Sequence, residues 1–148
     1  MLTLLEIQRG DSVEKVMTYL TQEDLDALGG LPPQSVVALI GEDGVSRING
    51  VFREFLHEAI EHFAPKEMQE AARDAGNGRV VYVDDRAPEG EEVAREDIIG
   101  WFQVAGGAIV AGSYKANPDH QLLTGRGWSH AIGKFRDEMV RELLRRNV

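Results

Sequence analysis

The feature that most restricts the fold is a change of hydrophobic period at residue 49. Before it, Val36–Ile40 is an unbroken apolar, β-branched run, and Asp43-Gly44 offers the positive-φ pair of a two-residue hairpin turn leading into Val45–Ile48. After it, Asn49 can cap a helix over Val51–Phe63. Phe52, Phe55, Leu56, Ala59, Ile60 and Phe63 recur there at the spacing of one helix face. A hairpin that feeds straight into an amphipathic helix calls for an antiparallel sheet with helices laid across it, because each apolar face must be buried against another layer.

The flanking segments extend that plan. Thr3–Gln8 reads as a short strand ended by Arg9-Gly10-Asp11. From Ser12 to Leu20 helix and strand compete: Val13, Val16, Met17 and Leu20 have helical spacing behind an Asp11-x-x-Glu14 capping pattern, and the reading favours helix. Thr21-x-x-Asp24 caps a short helix that Gly29-Gly30 stops. Pro65 suits the first turn of a further helix, Lys66 to Ala75, burying Met68, Ala71, Ala72 and Ala75. Val80–Val83, Asp97–Val104 and Ala108–Lys115 read as strands, the last two joined through Ala105-Gly106-Gly107. Asn117 to Gly127 reads as a loop, and Ser129 caps a final helix with Ile132, Phe135, Met139, Val140 and Leu143 along its apolar stripe. The expectation is one α+β domain over residues 1–148: a mostly antiparallel sheet of about 4–6 strands built from local hairpins, packed against about 3–5 amphipathic helices including a C-terminal one.

Composition narrows the chemistry. There is no cysteine among the 148 residues, which removes disulfides, thiolate nucleophiles and zinc ribbons. No apolar stretch approaches the length of a membrane span, and the start lacks the pattern of a secretion signal, so a soluble, cytoplasmic protein is expected. A net charge of −9 disfavours nucleic acid and anionic membranes and favours basic partners. The charge is concentrated. In Asp84–Asp97 seven acids accompany two arginines, whereas Lys115–Val148 carries seven basic residues against four acids.

Motif chemistry is sparse. Neither a phosphate loop nor a Gly-x-Ser-x-Gly elbow is present. His57 and His62 are five apart on their helix, too splayed to grip one metal ion together, and His57 with Glu61 reads as a solvent-facing pair. No cofactor or metal is expected.

Two functional readings remain. In the first, the chain is a small acidic protein-binding module, of the immunity, chaperone or adaptor kind, that docks a basic partner. Its contacts would be Asp84, Asp85, Glu89, Glu91 and Glu92 in the acidic loop, and Tyr114, Asn117, Arg126 and Trp128 beyond it, with Gly125 and Gly127 leaving Arg126 accessible. The alternative is a small hydrolase or metal-dependent enzyme in which Asp84 or Asp85 works with His120, while Asp119 lies nearby and Arg86 or Arg126 holds an anion. A homo-oligomer formed through a helix face or sheet edge is compatible with either.

Overall fold

The hairpin-to-helix junction forms where the sequence places it. In the computed structural model, which describes residues 2–147, strand β3 (Val36–Ile40) pairs antiparallel with β4 (Ser46–Ile48). Asn49 Oδ1 accepts the Val51 amide at 3.2 Å, and helix α2 (Gly50–Glu67) follows. The turn differs from the two-residue form expected. Only Gly44 takes a left-handed φ, of 76°, while the Gly41 amide reaches the Val45 carbonyl at 3.0 Å and the Gly44 amide reaches that of Gly41 at 2.9 Å. Asp43 stays at negative φ and caps the turn through its carboxylate, which accepts the Val45 amide at 3.0 Å.

The described residues form five helices and ten strands, every strand pair being antiparallel, in sheets of four, four and two strands. The α+β class is as expected, with the strands divided among sheets. The chain follows two compact units, one up to Leu56 and again from Gly133, the other from His57 to Ile132.

The first unit holds the sheet β1-β2-β3-β4, with β1 at Thr3–Arg9 and β2 at Ser12–Thr18. Strand β2 corrects the helix expected over Ser12–Leu20. Gly10, at φ 61°, turns the chain back so that Thr3 to Arg9 pair with Thr18 to Ser12. The β-branched Val13 and Val16 favour that pleat, and pairing with β3 completes the ladder. Helix α1 (Gln22–Leu28) carries the expected Thr21 capping box with Asp24 and ends on Gly29 at φ 73°. The last helix of the chain, α5 (Arg136–Arg146), is tied to this unit: Arg136 Nε donates to the Tyr19 carbonyl at 3.0 Å and its guanidinium pairs with Asp24. Its stripe of Met139, Val140 and Leu143 is buried, as are Phe52, Phe55 and Leu56 at the start of α2. Each of these large side chains contributes roughly 1.5–3 kcal/mol by leaving water.

The second unit begins with the rest of α2. Pro65 lies inside this helix instead of opening a new one. It lacks the amide that would bond the Glu61 carbonyl, and the helix closes two residues later, where the Met68 amide is shared between the Ala64 and Pro65 carbonyls at 3.2 Å each. The buried stripe continues from Ile60 to Ala64 and Met68, whereas Phe63, expected on it, is 41% exposed. Helix α3 (Gln69–Ala75) then buries Ala72, while Ala71 and Ala75 face solvent. Strands β5 (Gly78–Val83) and β6 (Ile98–Ala105) form near their expected positions, and they pair with one another across the acidic loop. The strand expected over Ala108–Lys115 is broken. Strand β7 is only Ala108–Ile109, the chain loops away through Gly112 at φ 74°, and it returns to β6 as β8 (Lys115–Ala116). The loop expected after Asn117 contains a two-stranded ribbon, β9 (Leu123–Thr124) with β10 (Gly127–Trp128), followed by α4 (His130–Lys134).

Candidate functional site

Among the described residues, six of the eight buried polar side chains lie in the second unit: Asp84, Arg86, Asp97, Asn117, His120 and Ser129. They occupy the end of β5, the start of β6 and the two segments flanking the ribbon. Buried polar groups are costly unless bonded, so their partners decide what they do.

Asp84 is the hub. Its Oδ2 accepts from His120 Nε2 at 3.1 Å and from the Ser129 hydroxyl, and its Oδ1 accepts the His130 amide at 3.0 Å. Because a carboxylate only accepts, His120 Nε2 carries its hydrogen. The Ser129 oxygen also accepts the Ala131 amide at 3.2 Å, so aspartate and serine together cap α4. Burial pushes the Asp84 carboxyl pKa up, but the bonds from His120, Ser129 and the His130 amide, with the nearby Arg86 charge, outweigh it and hold the group at about 2.

Arg86 is the clasp. Its Nε donates to Asp97 Oδ1 at 2.9 Å. One terminal nitrogen donates to the carbonyls of Leu122 at 3.1 Å and Gly127 at 2.9 Å, and the other to those of Glu96 at 3.3 Å and Gln121. All five guanidinium hydrogens are thereby used, four of them to tie the ribbon and the 3-10 turn before β6 to one point. Asp97 Oδ2 accepts from Arg126 at 2.6 Å. Burial raises the Asp97 carboxyl pKa and the two arginines lower it further, for a net depression. Two carboxylates balance two guanidiniums, which satisfies the requirement for burying charge. Asn117 completes the frame: its amide group donates to the Arg95 and Ile98 carbonyls at 2.9 and 2.8 Å, and its side-chain oxygen accepts the Asp119 amide at 3.1 Å.

Asp84 meets His120, the contact the enzyme alternative requires, and the consequence is structural closure. The side chains of Asp84 and His120 are fully buried, and Asn117 is 1% exposed, so these three present nothing to a partner or substrate. The exposed acids of the loop between β5 and β6 are Asp85, Glu89, Glu91 and Glu92, and Glu96 is half-buried. Arg126 is partly exposed and committed to Asp97, and Trp128 is half-buried in β10. Tyr114 is half-buried: its hydroxyl meets His57 Nδ1 at 2.6 Å and its ring centroid lies 4.9 Å from that of Phe102. His57 therefore faces Tyr114, a role its helical spacing did not reveal. The network also includes Ser129 and Asp97, for which the sequence carries only a helix-cap signal and the signal of an acid where loop meets strand. Among the described residues no group of three metal-ligating side chains occurs, and no helix is long and apolar enough to cross a membrane.

No family model, curated protein or solved structure matches this chain.

Proposed function

We propose that the chain is an acidic protein-binding module that docks a basic partner through the loop between β5 and β6. The observation that carries the reading is the separation of the loop's acids into two sets. Asp84 and Asp97 are buried and fully bonded, whereas Asp85, Glu89, Glu91 and Glu92 stand exposed on a segment whose two ends those buried groups hold. The Asp84 amide bonds the Asp97 carbonyl at 2.8 Å, closing the base of the loop. A loop so anchored presents carboxylates at low ordering cost, and a concentrated negative field steers a cationic surface toward it.

Asp84 and Asn117 leave the contact set and become its scaffold; Asp85, Glu89, Glu91 and Glu92 remain, with Tyr114, Arg126 and Trp128 beyond the loop. The hydrolase alternative, Asp84 with His120, has the contact it requires but no exposed face at which a substrate could meet it. The test is affinity capture from the cells that make the protein, with wild-type chain and the Asp85→Lys, Glu89→Lys, Glu91→Lys, Glu92→Lys variant as matched baits. The expected result is a basic protein retained by the first and lost by the second. Equal retention by both baits would overturn the reading.

A further inference from the structure

The interruption between β7 and β8 opens a groove of about 520 Å³ in the second unit. One wall is a single stripe of α2, with Glu58, Glu61, His62 and Pro65 at i, i+3, i+4 and i+7. The facing wall is the segment 109–114, and Phe102, 2% exposed, supplies part of the lining between them. The shape depends on Gly100 in β6. A side chain there would place its first carbon 2.5 Å from the Lys115 carbonyl and 2.7 Å from the Tyr114 ring, so only glycine lets Tyr114 fold down against Phe102 and lets β8 pair beside it. The His57 bond then fixes the Tyr114 hydroxyl.

The groove thus combines two surface carboxylates on one side with Ile109, Val110 and two aromatic rings on the other. That pairing is complementary to one kind of group: a cation on an aliphatic stem, whose methylenes cover apolar surface while its charge meets carboxylate and ring. We infer that the groove receives an arginine or lysine side chain of the basic partner. The inference rests on the proposed function for the partner's charge and adds a second contact, with Tyr114 as the residue common to both.

The test titrates the full, isotope-labelled chain with a capped triarginine peptide and with its neutral isostere, capped tricitrulline, following backbone amide shifts. Triarginine should shift the amides of Gly112, Ser113 and Tyr114 to saturation, and tricitrulline should not. Glu58→Gln with Glu61→Gln should weaken the groove response about tenfold while leaving shifts at Glu89 to Glu92 unchanged. Both glutamates are surface residues, and the same spectrum checks that the variant keeps its fold. Shifts confined to the acidic loop would overturn the groove inference and leave the proposed function standing. Shifts confined to the groove would do the reverse. Equal shifts with tricitrulline, or a groove response indifferent to the double substitution, would show that charge is not recognised there and would also overturn it.

Discussion

Asp84→Asn is the sharpest perturbation of the scaffold, because it changes one atom type inside a fully bonded hub. The wild-type carboxyl is held at about 2 against an ordinary 3.8, a difference worth about 2 kcal/mol of stability at neutral pH. Asparagine keeps one acceptor for the His130 amide but turns an NH₂ toward His120 and Ser129, both of which donate to the wild-type oxygen. The added cost of a buried donor facing donors brings the expected loss to about 2–4 kcal/mol. For a chain of this length that lowers the melting temperature by roughly 4–15 °C. The sign of the pH dependence follows from the depressed pKa. The Asp84 contribution is fully present above about pH 4 and disappears as pH falls toward 2. Wild type and variant should therefore differ most at neutral pH and converge by about 2 kcal/mol in acid; Asp97, depressed in the same direction, contributes alike in both. Urea unfolding from pH 7 to pH 2, read by tryptophan fluorescence, suits the question because Trp101 and Trp128 both lie in the second unit. Stabilities equal within about 0.5 kcal/mol at pH 7, or a gap that stays constant into acid, would show that the Asp84 carboxylate does not hold this network together.

Three further substitutions probe the same frame. Arg86→Lys replaces five fixed donors with three and strands buried carbonyls of the ribbon, so it should cost about 3 kcal/mol and speed amide hydrogen exchange over residues 117–128. Unchanged exchange would contradict the clasp. Ser129→Ala removes a bond to the Asp84 carboxylate and the α4 cap together; a loss of about 1–2 kcal/mol is expected, with the carboxyl titrating above its wild-type value of about 2 when followed by carbon NMR. Gly100→Ala should cost about 1–3 kcal/mol by overpacking against Lys115 and Tyr114, and should shift the aromatic resonances of Tyr114 and Phe102.

The elements with strong local signals were legible. The Asn49 cap, the Thr21 capping box and the Gly29 stop each carry their cause within a few residues; the apolar stripe from Ile132 to Leu143 is buried as expected, but the single helix expected there is divided at Phe135 into α4 and α5. Where the reading went astray, a longer-range interaction decided. Residues 12–18 fit a helix by period, and their pairing with both β1 and β3 makes them a strand. Ala108–Lys115 reads as one strand, yet Ser113 fills the gap in the ladder by accepting the Gln103 amide at 3.0 Å through its hydroxyl, so the backbone can bulge outward and open the groove. The site was half legible. Asp84, Asn117 and His120 are each readable as polar residues beyond strands, but their meeting depends on the strand order and their burial on Arg86 gathering carbonyls 35 to 41 residues away. Nor does charge in the sequence separate the acids at the loop's surface from Asp84 and Asp97, which are internal.

In the proposed function the exposed acids Asp85, Glu89, Glu91 and Glu92 meet a basic partner while Asp84 and Asp97 hold their loop in place. Its most direct test is the affinity of the captured partner, purified, for wild-type chain and for the fourfold lysine variant, at low salt and at about 0.15 M ionic strength. Wild type should bind tightly and more weakly as salt rises, and the variant should lose at least a hundredfold in affinity with the salt dependence abolished or inverted. An affinity that is the same for both proteins at both salt concentrations would contradict the proposed function.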